Sequence, residues 1–155
     1  MNRAKYAGEI LERILSENVP EAQVLRTYTP TMDLKNLETG VPAVFITLED
    51  ISTEGKNSNG SKFVDLITFT LAVVEKLPSV GNSTDEVDGL IEVVQKIRDI
   101  LRYRVLTVSG ARVLVTTAEH ASSRPVYDRE LLAEGVFAGL LFVETRVNGE
   151  KEEAV

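Results

Sequence analysis

The chain has 155 residues, 43% of them hydrophobic and 26% charged, and carries a formal net charge of −7. That length and apolar content suit one core and exclude a disordered chain, and no apolar run approaches the roughly 20 residues that a membrane-crossing helix needs. The lack of cysteine and the single histidine, His120, exclude disulfides, thiolate chemistry and multi-histidine metal sites, while the acidic balance opposes the basic surface on which non-specific nucleic-acid affinity rests.

In residues 5–17, Ala7, Ile10, Leu11, Ile14 and Leu15 recur at helical spacing with Lys5, Glu9, Glu12, Arg13 and Glu17 on the other faces. This predicts an amphipathic helix ended by Asn18 and Pro20. No apolar leader precedes it, so no secretion signal is expected. Residues 23–28 read as a short strand, and Pro30, Gly40 and Pro42 break the segment that follows into an irregular connection or a sheet edge. From 43 to 51 the chain alternates, with Val44, Ile46 and Leu48 on one face, as a half-buried strand does.

Residues 52–61 carry two glycines and no apolar side chain, and a long β-rich run follows at 62–76, so a long hairpin with a polar tip is expected. In that run Phe63, Ile67, Phe69, Leu71 and Val73 share one face and Val64, Leu66, Ala72 and Val74 the other, which predicts apolar contact on both sides of the strand. Ser83-Thr84-Asp85-Glu86 has the capping spacing of a helix start, and Val87, Leu90, Ile91, Val94, Ile97, Ile100 and Leu101 continue as one apolar stripe. A strand is expected at 111–118, a charged loop at 119–130, a last strand at 136–147, and an acidic tail at 148–155. This order predicts a single α+β domain over 1–155, an antiparallel or mixed sheet with two main helices on one face.

Catalytic groupings are sparse. His120 lies near Ser122, Ser123 and Asp128 in sequence, but no nucleophile-elbow pattern surrounds those serines, and a solvent-facing or contact histidine is the expectation. Asp85, Glu86 and Asp88 sit where carboxylates complement the positive end of a helix, which accounts for them without a metal. Gly55 and Gly60 lack the Gly-Lys-Ser/Thr ending of a phosphate loop. No catalytic, metal or cofactor residue is therefore expected. Arg124, Tyr127, Asp128 and Arg129 have the composition of an interface loop, although a solvated charged loop fits them equally. The last strand is apolar on both faces, and its second face is to be covered either by the chain's own helices or by a neighbouring subunit.

The first helix, the Val41-Pro42-Ala43-Val44-Phe45-Ile46 strand entry, the polar loop through Lys56-Asn57-Ser58, the strand from Phe63 to Val74 and the capped helix at Ser83-Thr84-Asp85-Glu86 resemble, in that order, the tail terminator proteins of long-tailed bacteriophages, the lambda minor tail protein U type. The likeness continues through Tyr127-Asp128-Arg129 to the closing strand at Phe142-Val143-Glu144-Thr145-Arg146-Val147. The resemblance implies a homohexameric ring in the virion tail, assembled in the host cytoplasm. Such a ring docks on the tail tube, stops its polymerisation, and offers the head-side connector a joining surface while genomic DNA passes through the channel without specific binding. Related neck and tail-completion proteins share this outline. On this likeness Lys56 and Asn57 at the polar tip, with Arg124, Tyr127, Asp128 and Arg129, are the candidate interface residues. A small enzyme or ligand-binding domain of the same shape is the competing class, and it requires a concave pocket lined by convergent polar groups.

Overall fold

A computed structural model describes residues 2–28, 37–55, 62–77, 84–108, 111–120 and 126–150. The first helix, α1 (Arg3–Asn18), starts where the Asn2 side chain accepts a hydrogen bond from the Lys5 amide at 3.0 Å, satisfying one of the donors that a helix start leaves free. Its last turn closes as Val19 N donates to Leu15 O at 2.8 Å, just before Pro20. The predicted stripe of Ala7, Ile10, Leu11 and Leu15 is buried. After β1 (Gln23–Thr27), β2 (Ala43–Gly55) and β3 (Lys62–Lys76) comes α2 (Thr84–Leu101), with Asp85 and Glu86 in its first turn and Arg98 in its last, both favourable for the helix dipole. The candidate cap Ser83 lies outside the described residues. The chain continues through β4 (Val105–Val108), β5 (Ala111–Glu119), α3 (Arg129–Ala133) and β6 (Val136–Glu150).

The six strands form one mixed sheet in the order β1-β2-β3-β6-β5-β4, with β1 parallel to β2 and every other ladder antiparallel. At 15 residues each, β3 and β6 reach about 50 Å if extended. Bulges between Leu48 and Asp50 and between Val115 and Thr117 bend the ladders on either side of this central pair, which curls the sheet. Both long helices pack on the same face, against Ile46, Ile67, Leu71, Val115 and Leu141 in one continuous core. Gly139 permits the close approach of α2, since a Cβ there would lie 3.0 Å from Val94 Cγ2. On the opposite face a smaller cluster of Ala72, Val74, Val136 and Ala138 is covered by Leu37, Phe45 and Leu131.

The fold is α+β, as expected. Several boundaries differ from the sequence reading, each for a physical reason. Strand β2 runs on through Gly55, so Ser52 to Gly55, read as loop, are paired with Leu66 to Phe63, and the ladder with β3 and the Thr53–Asp65 hydrogen bond hold them as strand. The bulge at Glu49 shifts the alternation and returns Ile51, opposite Ile67, to the face of Leu48, opposite Phe69. Strand β6 continues through Glu150, pairing Asn148, Gly149 and Glu150 with Val64, Phe63 and Lys62, so the expected tail contributes three residues to the sheet. Residues 151–155 and the hairpin tip at 56–61 lie outside the described residues. Strand β4 and helix α3 carry too few residues for a period to show.

Candidate interaction surface

The two long helices cover one face of the sheet, and the second cluster covers only the end of the other face that lies near Val74 and Ala138. Beyond that cluster no described element covers the second face. Its rows follow from the register: Ser52 opposes Leu66, Leu66 opposes Arg146, Arg146 opposes Leu114, and Leu114 opposes Val105, a line of side chains across five strands. Large apolar groups on it reach solvent, with Val105, Leu114 and Leu140 at 44%, 38% and 36% exposure. A shallow groove of about 330 Å³ runs between Val64, Val105, Arg112, Leu114, Arg146 and Asn148. Such a mixture of aliphatic side chains and arginine is the composition of a contact surface rather than of a reaction pocket.

The base of the long hairpin is tied to α1. Asp65, on the helix side of β3 and 5% exposed, accepts hydrogen bonds from Arg3 Nε and, at 2.7 Å, from Thr53 Oγ1. The Arg3 guanidinium also lies 4.7 Å from the ring centre of Phe63. The other buried polar side chain among the described residues, Thr145, donates to Ile67 O at 2.9 Å in the middle of the β3–β6 ladder. On the β5 side, Thr116 Oγ1 in the bulge donates to Glu144 Oε1 at 2.8 Å, and Arg102 pairs with Glu119 at 3.0 Å. The Arg102 guanidinium is stabilised in its charged form first by Tyr103 and then by Glu119 and Asp99. Tyr103 itself is 71% exposed and takes a left-handed backbone angle, φ 54°, at the corner leading into β4.

Of the candidate interface residues, three fall within the described parts. Tyr127 is half-buried, its ring 6.0 Å from that of Phe137, and bridges Gly139 at the edge of β6. Asp128 caps α3, its Oδ1 accepting from the Glu130 and Leu131 amides at 3.0 Å each. Arg129 is exposed at the start of that helix. Lys56, Asn57 and Arg124 lie outside the described residues. The loop thus gives Tyr127 and Asp128 local structural work and leaves Arg129 on the surface.

The sequence reading marked the second face of the last strand as apolar and in need of cover, but not the arginine-bearing part of that face. The available signal was the inverse of the one it used: Arg112 stands next to buried Val113, and Arg146 between buried Thr145 and Val147, marking that side of β5 and β6 as outward. His120 Nδ1 lies 3.2 Å from Leu140 O, so a backbone carbonyl orients the ring, and Ser122 and Ser123 are outside the described residues. Among the described residues no three metal-ligating side chains form a cluster, and no helix is long and apolar enough to cross a membrane. Burial, and then the Glu86 carboxylate, raise the Glu75 carboxyl group above its ordinary value.

No family model matches the chain, and no curated protein matches it. Solved structures do. One chain without a functional description is 11% identical and superposes with a TM-score of 0.52 over 98% of this chain and 99% of its own. That likeness establishes the fold alone. A more distant neighbour belongs to the virion of a native gene transfer agent particle, with 13% identity, a TM-score of 0.42, and coverage of 93% of this chain and 91% of that one.

Proposed function

We propose that this chain is a structural assembly protein of a phage-type virion, which forms a ring on the end of the tail tube, terminates tube polymerisation and provides the head–tail joining surface. The observation that carries the reading is the second sheet face: a wide surface with exposed Val105, Leu114 and Leu140 and with Arg112 and Arg146, which have no ion-pair partner among the described residues, on a scaffold whose two long helices pack on the other face. A monomer gains nothing from such a face, whereas an assembly buries it. The likeness in sequence order to tail terminators supports this choice of assembly. Function on this reading lies in surfaces, without catalysis or cofactor, and the partners are further copies of the chain, the tube protein on one side of the ring and a head-side neck protein on the other.

The net charge of −7 suits a channel wall past which DNA slides without being gripped. On this reading the described end of the β2–β3 hairpin, where Glu54 and Gly55 pair with Val64 and Phe63 beyond the Asp65 tie, meets the tube. The test is capping. Purified chain is added to polymerising tail-tube protein, with native mass spectrometry and negative-stain imaging of the chain alone in parallel. Tubes of arrested length bearing a terminal ring support the reading. Tube growth unchanged by a molar excess overturns it, and exclusive binding to the portal-side neck transfers the chain to the head–tail connectors.

A further inference from the structure

The open face changes sign across its width. Along β2 the exposed charges are Glu49, Asp50 and Glu54, and the 2.8 Å bond from Thr70 Oγ1 to Glu49 Oε1 holds Glu49 toward this face. Along β5 and β6 they are Arg112 and Arg146, together with Glu119, which pairs with Arg102. Among the described residues none of Asp50, Glu54, Arg112 and Arg146 has an ion-pair partner. The acids nearest the basic side are already engaged, Glu144 by Thr116 and Glu119 by Arg102.

Both margins also carry free backbone. Strand β1 pairs with β2 only at Ala43 to Thr47, so among the described residues nothing pairs with the outer edge of β2 from Leu48 to Gly55. Strand β4 is the last strand on the other side. An acidic margin with an open edge and a basic margin with an open edge, on opposite sides of one sheet, cannot satisfy each other within a copy. They can satisfy each other between copies, and a contact that joins two different patches repeats around an axis instead of stopping at two subunits.

We infer that the β2 margin of one copy, Glu49, Asp50 and Glu54, docks on the β4–β5 side of the next, where Arg112 on β5 and Arg146 on β6 flank the groove walled by Val64, Val105 and Leu114. The occupant of the groove is a second copy of this chain. The inference rests on the ring-forming reading above and specifies its subunit contact. It predicts that ring formation weakens as salt rises, because exposed charges of opposite sign carry much of the docking.

Charge swapping tests it. R112E/R146E alone and D50K/E54K alone should each weaken self-association about a hundredfold or more, since like charges then meet where opposite ones did. The combined four-substitution variant should regain the ring. Every substituted side chain is exposed, and circular dichroism of each variant verifies the fold. A second measurement uses the absence of native cysteine: a chain carrying E54C and R112C, oxidised at assembly concentration, should give a disulfide ladder that ends at the ring size. Within one copy the two positions lie three strand spacings apart, about 14 Å, too far for a disulfide. A wild-type ring that survives both charge reversals, or a ladder that stops at the dimer, overturns this contact while leaving the assembly reading standing. A wild-type chain that stays monomeric, alone and on tubes, overturns the assembly reading and the contact with it.

Discussion

Asp65→Ala should loosen the long hairpin from the body of the domain. In the native chain the Asp65 carboxylate is 5% exposed and is shared by Arg3 and Thr53, so its removal takes the ionic partner from α1 and the hydrogen-bond acceptor from β2 together. A hydrogen bond to a charged group contributes about 1.5–3 kcal/mol. The Arg3 side chain keeps 26% of its exposure and turns to water when released, which returns part of the loss. The expected cost is about 2 kcal/mol, and with a urea slope of roughly 1–3 kcal/mol per molar the unfolding midpoint falls by about 1 M. Asp65→Asn, which still accepts from Thr53, should lose about half as much, and a double-mutant cycle of Arg3→Ala with Asp65→Ala should show coupling of about 1 kcal/mol. Urea unfolding supplies the energies, and hydrogen exchange supplies their location, with faster exchange in β2 and β3 from Thr53 and Asp65 outward. A midpoint within about 0.2 M of wild type, or zero coupling to Arg3, refutes the tie.

Gly149→Ala should destabilise the same region by about 1 kcal/mol, because a Cβ at this position would run into Phe63 Cε2 and the ring must leave its place beneath Arg3; thermal unfolding with exchange at the end of β6 reads this out. Glu75→Gln should stabilise the domain at neutral pH. The folded-state carboxyl group titrates above its ordinary value of 4.5, so the folded chain retains the proton longer than the unfolded one, and stability falls as pH rises through the raised value. The advantage of glutamine should therefore shrink as pH is lowered toward about 4.5, and an advantage that grows on acidification contradicts the assignment to burial and Glu86. His120→Ala removes only the contact of its ring with Leu140 O and should leave ring formation and tube capping intact; loss of function by a normally folded variant would restore the enzymatic alternative.

Much of the architecture was legible in the sequence because it depends on short-range periodicity. The stripe from Leu90 to Leu101 and the alternation through Ile67, Phe69, Leu71 and Val73 have one arrangement each that buries their apolar groups, and both were found in it. The apolar character of both faces of β3 was legible too, and Ala72 and Val74 are indeed buried on the second face. Where propensity and pairing disagree the sequence misleads: Ser52, Thr53 and Glu54 have loop composition yet form strand, since the ladder with Leu66, Asp65 and Val64 outweighs their weak intrinsic preference. The candidate loop at 124–129 was chosen for its composition, and composition does not reveal that Tyr127 stacks on Phe137 or that Asp128 caps a helix.

Fold class, the two long helices, the core strands and the scarcity of catalytic groupings follow from residue type and local spacing. Which strands are neighbours follows from the folded arrangement, and the surface depends on that order. Placing β6 between β3 and β5 sets Leu66, Arg146, Leu114 and Val105 in one row, and setting β2 and β4 on opposite sides separates Asp50 and Glu54 from Arg112. A contact surface is a property of residues distant in sequence, and the pairing that assembles it leaves no period along the chain.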